Sequence, residues 1–331
     1  MAEPTPFVSF IVCTYSTKQH NMHELINRCL NSIFAIDYPR DKFEVICVDG
    51  GSTQETISMI KSFPVLLINN AKRFPEGRGM GKSQGLALAK GTFIAFVDHD
   101  NMLIGKNWLQ EMLAPMLSDA TIFGCDCRLF VRKDDKITNR YLSYIGTDPF
   151  AADISIHGLL GLKKISLVDC GSYSTVNITP KNFFIAGGNC FVYRKSALDA
   201  VGGYVKDTDV IYQLAQLGLA KLAIPKNAAT HHYAVYSFWN FIKKKTLWAK
   251  VHVNKKEVQG EFSWIPKTKK EFLKIGIKLI KNFIILPNFI VGLQRASETK
   301  DYAWLLHPVA MFLTTAIYVA VGLLSKLGFK S

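Results

Sequence analysis

Acidic residues are scarce in this 331-residue chain, where 26 Asp and Glu stand against 40 Lys and Arg, a formal net charge of +14. The deficit is local. Residues 1–242 hold 24 basic against 21 acidic side chains, whereas residues 243–281 hold 12 lysines against 3 glutamates. The imbalance is therefore a basic collar between a nearly balanced domain and an apolar tail. Such a collar beside apolar segments suits anionic lipid headgroups. Nucleic acid is the rival partner for so many lysines. No nucleic-acid-binding module is recognisable, so nucleic acid is not expected. A zinc framework is missing too. The seven cysteines, Cys13, Cys29, Cys47, Cys125, Cys127, Cys170 and Cys190, are odd in number and match no zinc spacing. Cys125 and Cys127 form a Cys-x-Cys without a second pair. Free thiols in a reducing compartment are expected. No basic stretch or cleavage site precedes the first strand, so a signal peptide is not expected.

What is present is an alternation of strand and helix signals. Residues 7–15 (FVSFIVCTY), 43–52 (FEVICVDGGS), 65–70 (VLLINN) and 93–100 (FIAFVDHD) read as strands. Between them, residues 22–35, 53–63 and 81–90 carry helical spacing, the second capped by Ser52 or Thr53. This pattern implies βαβ units, a parallel sheet and right-handed crossovers. Residues 121–131 begin a second, less regular section that runs to about 242.

The strongest local signal is GTFIAFVDHDN, residues 91–101. An apolar run there ends in Asp98 and Asp100. Ligands of open α/β sheets bind at the carboxyl ends of strands. Two carboxylates at such an end suit a hard divalent cation holding phosphate oxygens. The plainer reading is a polar strand end with a turn. Thr14-Tyr15 and Asp49 end the first two strands. Asp49 could take a ribose hydroxyl or a base N–H, Tyr15 could pack on the base, and Asp49 could equally be a turn residue before Gly50-Gly51. Residues 75–85 (PEGRGMGKSQG) form a Gly-rich loop opening a helix, a site for phosphate. It is not a Walker A motif, because Glu76 stands where that pattern needs glycine. Arg78 and Lys82 read as side-chain contacts to a diphosphate. Asp207 and Asp209 follow a tight turn and fit either a helix start or a general base. His231 and His232 fit a core strand or a metal ligand, the core being the simpler reading.

Past residue 236, Trp, Phe and Leu sit among lysines as on an interfacial amphipathic helix. Residues 272–293 carry Lys274, Lys278 and Lys281 on one helical side, with Pro287 further on. This segment could span with snorkelling lysines, break at Pro287, or lie in the interface. Residues 303–324 run for 22 residues without a formal charge. As a helix they would reach about 33 Å, enough for a hydrocarbon core of about 30 Å. The collar then places the preceding domain on the cytoplasmic side.

In this order the motifs resemble family 2 glycosyltransferases with the GT-A fold, over roughly residues 7–250. VICVDGGS is similar to the family's V-V-D-D-G-S, with Gly50 replacing the second aspartate. GKSQGLALAKG is similar to G-K-A-x-A-L-N, with Ala87 in place of the asparagine. FVDHD matches the D-x-D motif, and GGNCFVYRKSALDAVGGY resembles the acceptor-side loop. KDTDV resembles E-D-x-D-L, with Lys206 replacing the first acid. Of the Q-x-x-R-W motif found in cellulose-synthase-like members, only Trp248 survives, after Lys244, Lys245, Thr246 and Leu247.

The resemblance implies an α/β GT-A catalytic domain (residues 1–235) with a mostly parallel central sheet. A basic amphipathic interface segment (236–270) and a membrane domain of one to three helices (271–331) would follow. Thr14, Tyr15, Asp49, Arg78, Lys82, Asp98 and Trp248 would bind the donor. Asp98, Asp100 and His232 would hold Mn²⁺ or Mg²⁺, and Asp207 would be the catalytic base of an inverting transfer. The implied substrates are a nucleotide-sugar, with GDP-mannose favoured over UDP-glucose, and a polyprenyl (dolichyl) phosphate or lipid-linked saccharide at the membrane. The alternatives are a processive UDP-sugar polysaccharide synthase, or a membrane-anchored nucleotide-binding protein without transfer activity.

Overall fold

The computed structural model describes residues 5–70, 78–146, 148–149, 166–180, 190–205, 207–254 and 268–326. The chain divides into two compact units, residues 1–130 with 165–232, and residues 131–164 with 233–331. The first unit opens with β1 (Val8–Thr14), α1 (His23–Phe34), β2 (Phe43–Asp49), α2 (Gln54–Lys61), β3 (Leu66–Asn69), α3 (Arg78–Leu88) and β4 (Phe93–Asp98). It continues with β5 (Asn101–Ile104), α4 (Trp108–Ser118), β6 (Ile122–Cys125) and β7 (Arg128–Leu129). After α5 (Ile137–Ile145), which belongs to the second unit, it resumes with β8 (Val168–Asp169), β9 (Tyr173–Asn177) and β10 (Phe191–Arg194). It closes with α6 (Lys195–Ala200), α7 (Asp207–Gln216), β11 (Lys221–Pro225) and β12 (Ala229–His232).

The alternating half follows the sequence closely. β1, β2 and β4 are buried along nearly their whole length, which is why they read as continuous apolar runs rather than alternating ones. Helix α1 buries Ile26, Cys29, Leu30 and Ile33, one face at helical spacing. Thr53 is the cap of α2, its hydroxyl accepting from the Thr56 N–H.

The nine strands of the main sheet run in the order β3-β2-β1-β4-β10-β6-β11-β9-β8. From β3 to β4 the neighbours are parallel. β10 then lies antiparallel to both β4 and β6. β6 and β11 are parallel, and β9 runs against β11 and β8. The sheet is therefore mixed, which corrects the expectation of a mostly parallel one. A strand's apolar run records burial but not direction, and the inserted β10 is only four residues long. Register fixes the functional edge. Thr14 pairs with Asp49, Cys13 with Asp98, and Asn69 with Asp49, so these residues line the carboxyl ends of neighbouring parallel strands. Helix α3 lies tightly over β1. A Cβ on Gly85 would come within 2.5 Å of Ile11 Cγ2, and one on Gly81 within 2.9 Å of Cys13 Sγ. These two glycines allow the approach that brings Lys82 down to the sheet edge. A second sheet, β5-β12-β7, pairs His232 with Asn101.

The second unit is helical: α5, then α8 (Phe238–Asn254), α9 (Lys269–Phe283), α10 (Ile285–Thr299), a 3₁₀ turn (Tyr302–Leu306) and α11 (His307–Lys326). Tyr141, Leu142, Ile145, Phe241, Trp304 and Met311 share one core. Arg140 grips Asp301 through two nitrogens at 3.0 and 3.1 Å. The apolar stretch 272–293 breaks at Ile284, whose backbone is extended. Pro287 falls in the first turn of α10, where a missing N–H costs nothing. Helices α9 and α10 have 15 residues each, so each reaches only about 22 Å, short of a bilayer core of about 30 Å. Both leave apolar side chains exposed, with Leu273, Ile277 and Ile280 on α9 and Leu286, Phe289, Ile290 and Leu293 on α10. Among the described residues, only the helical stretch Tyr302–Ser325 is long and apolar enough to cross a membrane, with a mean hydropathy of 1.8. One such helix, not several, is present among the described residues.

Candidate functional site

At the end of β2, Asp49 is 4% exposed and fully engaged by its own chain. Its Oδ1 accepts from the Thr14 hydroxyl at 2.9 Å and from the Ser52 hydroxyl. Its Oδ2 accepts from the backbone N–H groups of Gly51 and Ser52, both at 2.8 Å. The Gly50 N–H donates to the Thr14 carbonyl, and the Thr53 N–H to that of Ser16. The Ser16 N–H donates to the Ser52 hydroxyl. Asp49 thus locks the two loops after β1 and β2 together. Tyr15 stacks on His20, ring centroids 6.2 Å apart.

The end of β4 is built differently. Lys82 places its Nζ 3.1 Å from Asp98 Oδ1 and 3.3 Å from Asp207 Oδ1. Burial alone would lower the pKa of this ammonium, but Asp207 and Asp98 outweigh it and hold the value above that of an ordinary lysine. Asp207 is the first residue of α7, and its side chain is 42% exposed. The positive end of the helix favours a carboxylate there. Asp209, the other acid of the motif, is wholly buried. His99 turns away from the pair and bonds the Cys13 carbonyl at 2.9 Å, so Nδ1 carries the proton. Asn101 donates to the Asp98 carbonyl at 3.1 Å and to Asp100 Oδ1 at 3.2 Å, pinning the turn. Beneath it lies the Cys29 thiol, 3.8 Å from the Asp98 carbonyl. Burial, with Cys47, Asp100 and Asp98 adding to it, pushes its pKa far up and keeps it protonated.

Strand β12 carries both fates open to a histidine. His231 is buried, while the next residue, His232, brings Nε2 to 3.4 Å from Asp100 Oδ2. Among the described residues, no three His, Cys, Asp or Glu side chains converge as a ready metal cluster. Asp100 and His232 could supply two ligands to a cation that takes its others from phosphate and water. Arg78 opens α3, but its side chain lies outside the described residues, as do Lys206 and the loop 71–77. Trp248 is on α8, in the second unit. In the Cys-x-Cys, Cys127 Sγ lies 2.9 Å from Thr230 Oγ1, and none of the cysteines is in a disulfide.

Residues 9–202, more than half of the chain, match the sequence profile of glycosyl transferase family 2. The chain belongs to this family. Within it, the glycosyltransferase AglE of Haloferax volcanii is 31% identical over 106 residues, 30% of this chain and 32% of AglE. A Methanococcus voltae protein is 34% identical over 55 residues, 17% of this chain and 16% of that one. It is named dolichyl N-acetyl-alpha-D-glucosaminyl phosphate 3-beta-D-2,3-diacetamido-2,3-dideoxy-beta-D-glucuronosyltransferase. The matched part is thus a third or less of either relative. Among solved structures, the mannosyltransferase PcManGT of Pyrobaculum calidifontis, in complex with GDP-Man and Mn²⁺, superposes with a TM-score of 0.55 at 17% identity. That superposition covers 96% of this chain and 88% of PcManGT, a likeness of fold.

Several residues around these strand ends carry little signal in the sequence. Ser52 was read only as a possible helix cap, yet it supplies two of the four bonds to Asp49. Asn101 gave no signal beyond its place after the D-x-D. Tyr204 and Phe96 were unremarkable apolar positions, and their rings lie 5.5 and 5.9 Å from Lys82 Nζ.

Proposed function

We propose that this family 2 glycosyltransferase is a membrane-bound, inverting hexosyltransferase. Its donor is a nucleotide-sugar, and its acceptor a polyprenyl (dolichyl) phosphate or a lipid-linked saccharide. The observation that carries the reading is the convergence of Lys82, Asp98 and Asp207 at one sheet edge, beside the Asp100–His232 pair. Asp49 shapes the nucleotide corner together with Thr14, and Tyr15 offers a ring to the base. Lys82 meets the diphosphate, Arg78 is assigned to it from the sequence alone, and Trp248 is assigned to the donor by resemblance.

Asp100 and His232, with Asp98, would hold Mn²⁺ or Mg²⁺, whose charge stabilises a departing diphosphate. Asp207 takes the proton of an acceptor hydroxyl as the oxygen attacks the anomeric carbon from the opposite side, inverting it. A lipid phosphate acceptor is already ionised near neutral pH, and Asp207 then orients it. Mannose from GDP-mannose is favoured, following the resemblance to lipid-directed members.

The lysine-rich collar and Tyr302–Ser325 support a membrane-held acceptor, as does the dolichyl substrate in the Methanococcus voltae relative's name. Residues 1–235 would act on the cytoplasmic side, 236–270 along the interface and 271–331 in the membrane, with α9 and α10 lying flat in it. The test is transfer of radiolabel from GDP-mannose and UDP-glucose to extracted membrane lipid, with Mn²⁺ and with excess chelator. Metal-dependent labelling of a lipid bearing one hexose is expected. A long polymer, or no labelling from either donor, would overturn the reading.

A further inference from the structure

Lys82 is oddly placed for a residue meant to meet a diphosphate. Its side chain is 3% exposed, and its ammonium closes on Asp98 at 3.1 Å and Asp207 at 3.3 Å. The rings of Tyr204 and Phe96 lie close to it, at 5.5 and 5.9 Å from Nζ. One positive charge thus links a carboxylate expected to face a metal with one expected to face an acceptor. Asp98 Oδ1 is engaged by the lysine, while Asp100 pairs separately with His232. The lysine stem is long and flexible and carries a point charge, so the ammonium can be drawn off by a stronger anion nearby.

We propose that Lys82 is a latch on the donor site, a positioning residue that holds Asp98 and Asp207 together until a nucleoside diphosphate arrives. The diphosphate takes the ammonium, which releases Asp98 toward the metal and Asp207 toward the acceptor. This rests on the donor-site reading above. The consequence is thermodynamic. Metal and ammonium compete for Asp98, so whatever removes the ammonium raises metal affinity, and the coupling is reciprocal. Metal and diphosphate therefore load as a pair, and Asp98 contributes to metal affinity only once the latch is open. A donor-free enzyme keeps its base paired.

Calorimetric titration of Mn²⁺ into the full chain, alone and with saturating GDP or UDP, tests this directly. Asp98→Asn preserves shape at a partly exposed position. It should leave Mn²⁺ affinity alone within about twofold, yet weaken it by about tenfold when the nucleotide is present. Lys82→Gln should tighten Mn²⁺ alone by about tenfold, and Lys82→Arg, which keeps the charge, should not. Asp98→Asn weakening Mn²⁺ by the same factor in both conditions would overturn the latch. So would a folded Lys82→Gln protein with unchanged affinity for Mn²⁺ alone. If the buried lysine cannot be replaced without unfolding, the Asp98→Asn asymmetry decides alone. Failure of the unmodified protein to bind either nucleotide with Mn²⁺ would instead overturn the donor-site reading, and the latch with it.

Discussion

Asp49 and Asp98 end the strands on either side of β1, at the same edge of one sheet, yet their carboxylates are differently engaged. Asp49 accepts four bonds from Thr14, Gly51 and Ser52 and is nearly inaccessible. Asp98 is shared with one lysine at 3.1 Å and remains partly open to solvent. A carboxylate bound by short, local donors is fixed by the fold. One held by the end of a long flexible side chain can be rearranged by a ligand. The β2 corner therefore sets a shape, and the β4 corner is where charge can move.

Activity should break at the β4 corner first. Asp100→Asn is expected to cut metal-dependent transfer by about a hundredfold or more while leaving the melting temperature nearly unchanged. Radiolabel transfer beside a thermal melt checks both halves. Asp49→Ala should show the opposite balance. It strands the hydroxyls of Thr14 and Ser52 and two backbone N–H groups, at a cost of about 2–3 kcal/mol. For a unit of this size the melting point should fall by about 5–10 °C. An Asp49→Ala protein as stable as its parent would erase the contrast between the two corners. His232→Gln should have a smaller effect, weakening Mn²⁺ affinity by about tenfold in a calorimetric titration with nucleotide present.

The smallest effect belongs to an ordinary surface pair on the same sheet, a baseline for both corners. Lys221 and Thr121 lower the Asp119 pKa from its ordinary value of 3.8 to about 2. A depressed acid stabilises the fold above its unfolded pKa and loses that contribution as pH falls through the folded one. Asp119→Asn should therefore remove that small contribution at neutral pH, and with it the slight loss of stability between about pH 4 and pH 2. Melting curves across that range check it.

The sequence made much of this site legible for a physical reason. Buried parallel strands are apolar throughout, so their ends are marked by the first polar residue, and Thr14, Asp49 and Asp98 mark them. The α/β class, the alternating first half and the place of Asp98 at a strand end were readable on that basis. Long-range placement was not legible in the residues themselves. His232 reaches Asp100 only because β12 pairs with β5, across more than a hundred residues; its own pattern favours the core by default, and only the family resemblance pointed to it. Its neighbour His231 took that default. The reversed β10 could not be read because burial carries no direction. In the second unit the break came at Ile284 rather than Pro287, since proline is at ease in a first helical turn.

The claim that the β4 corner is completed by donor and metal together can be tested on the unmodified protein by one thermal melt series. Mn²⁺ alone, GDP or UDP alone, and each nucleotide with Mn²⁺ are compared at about a hundred times the expected dissociation constant. The account predicts little change for either component alone, and a rise of about 5–10 °C for metal with the correct nucleotide. A full shift with Mn²⁺ alone, or none with any combination, would contradict it.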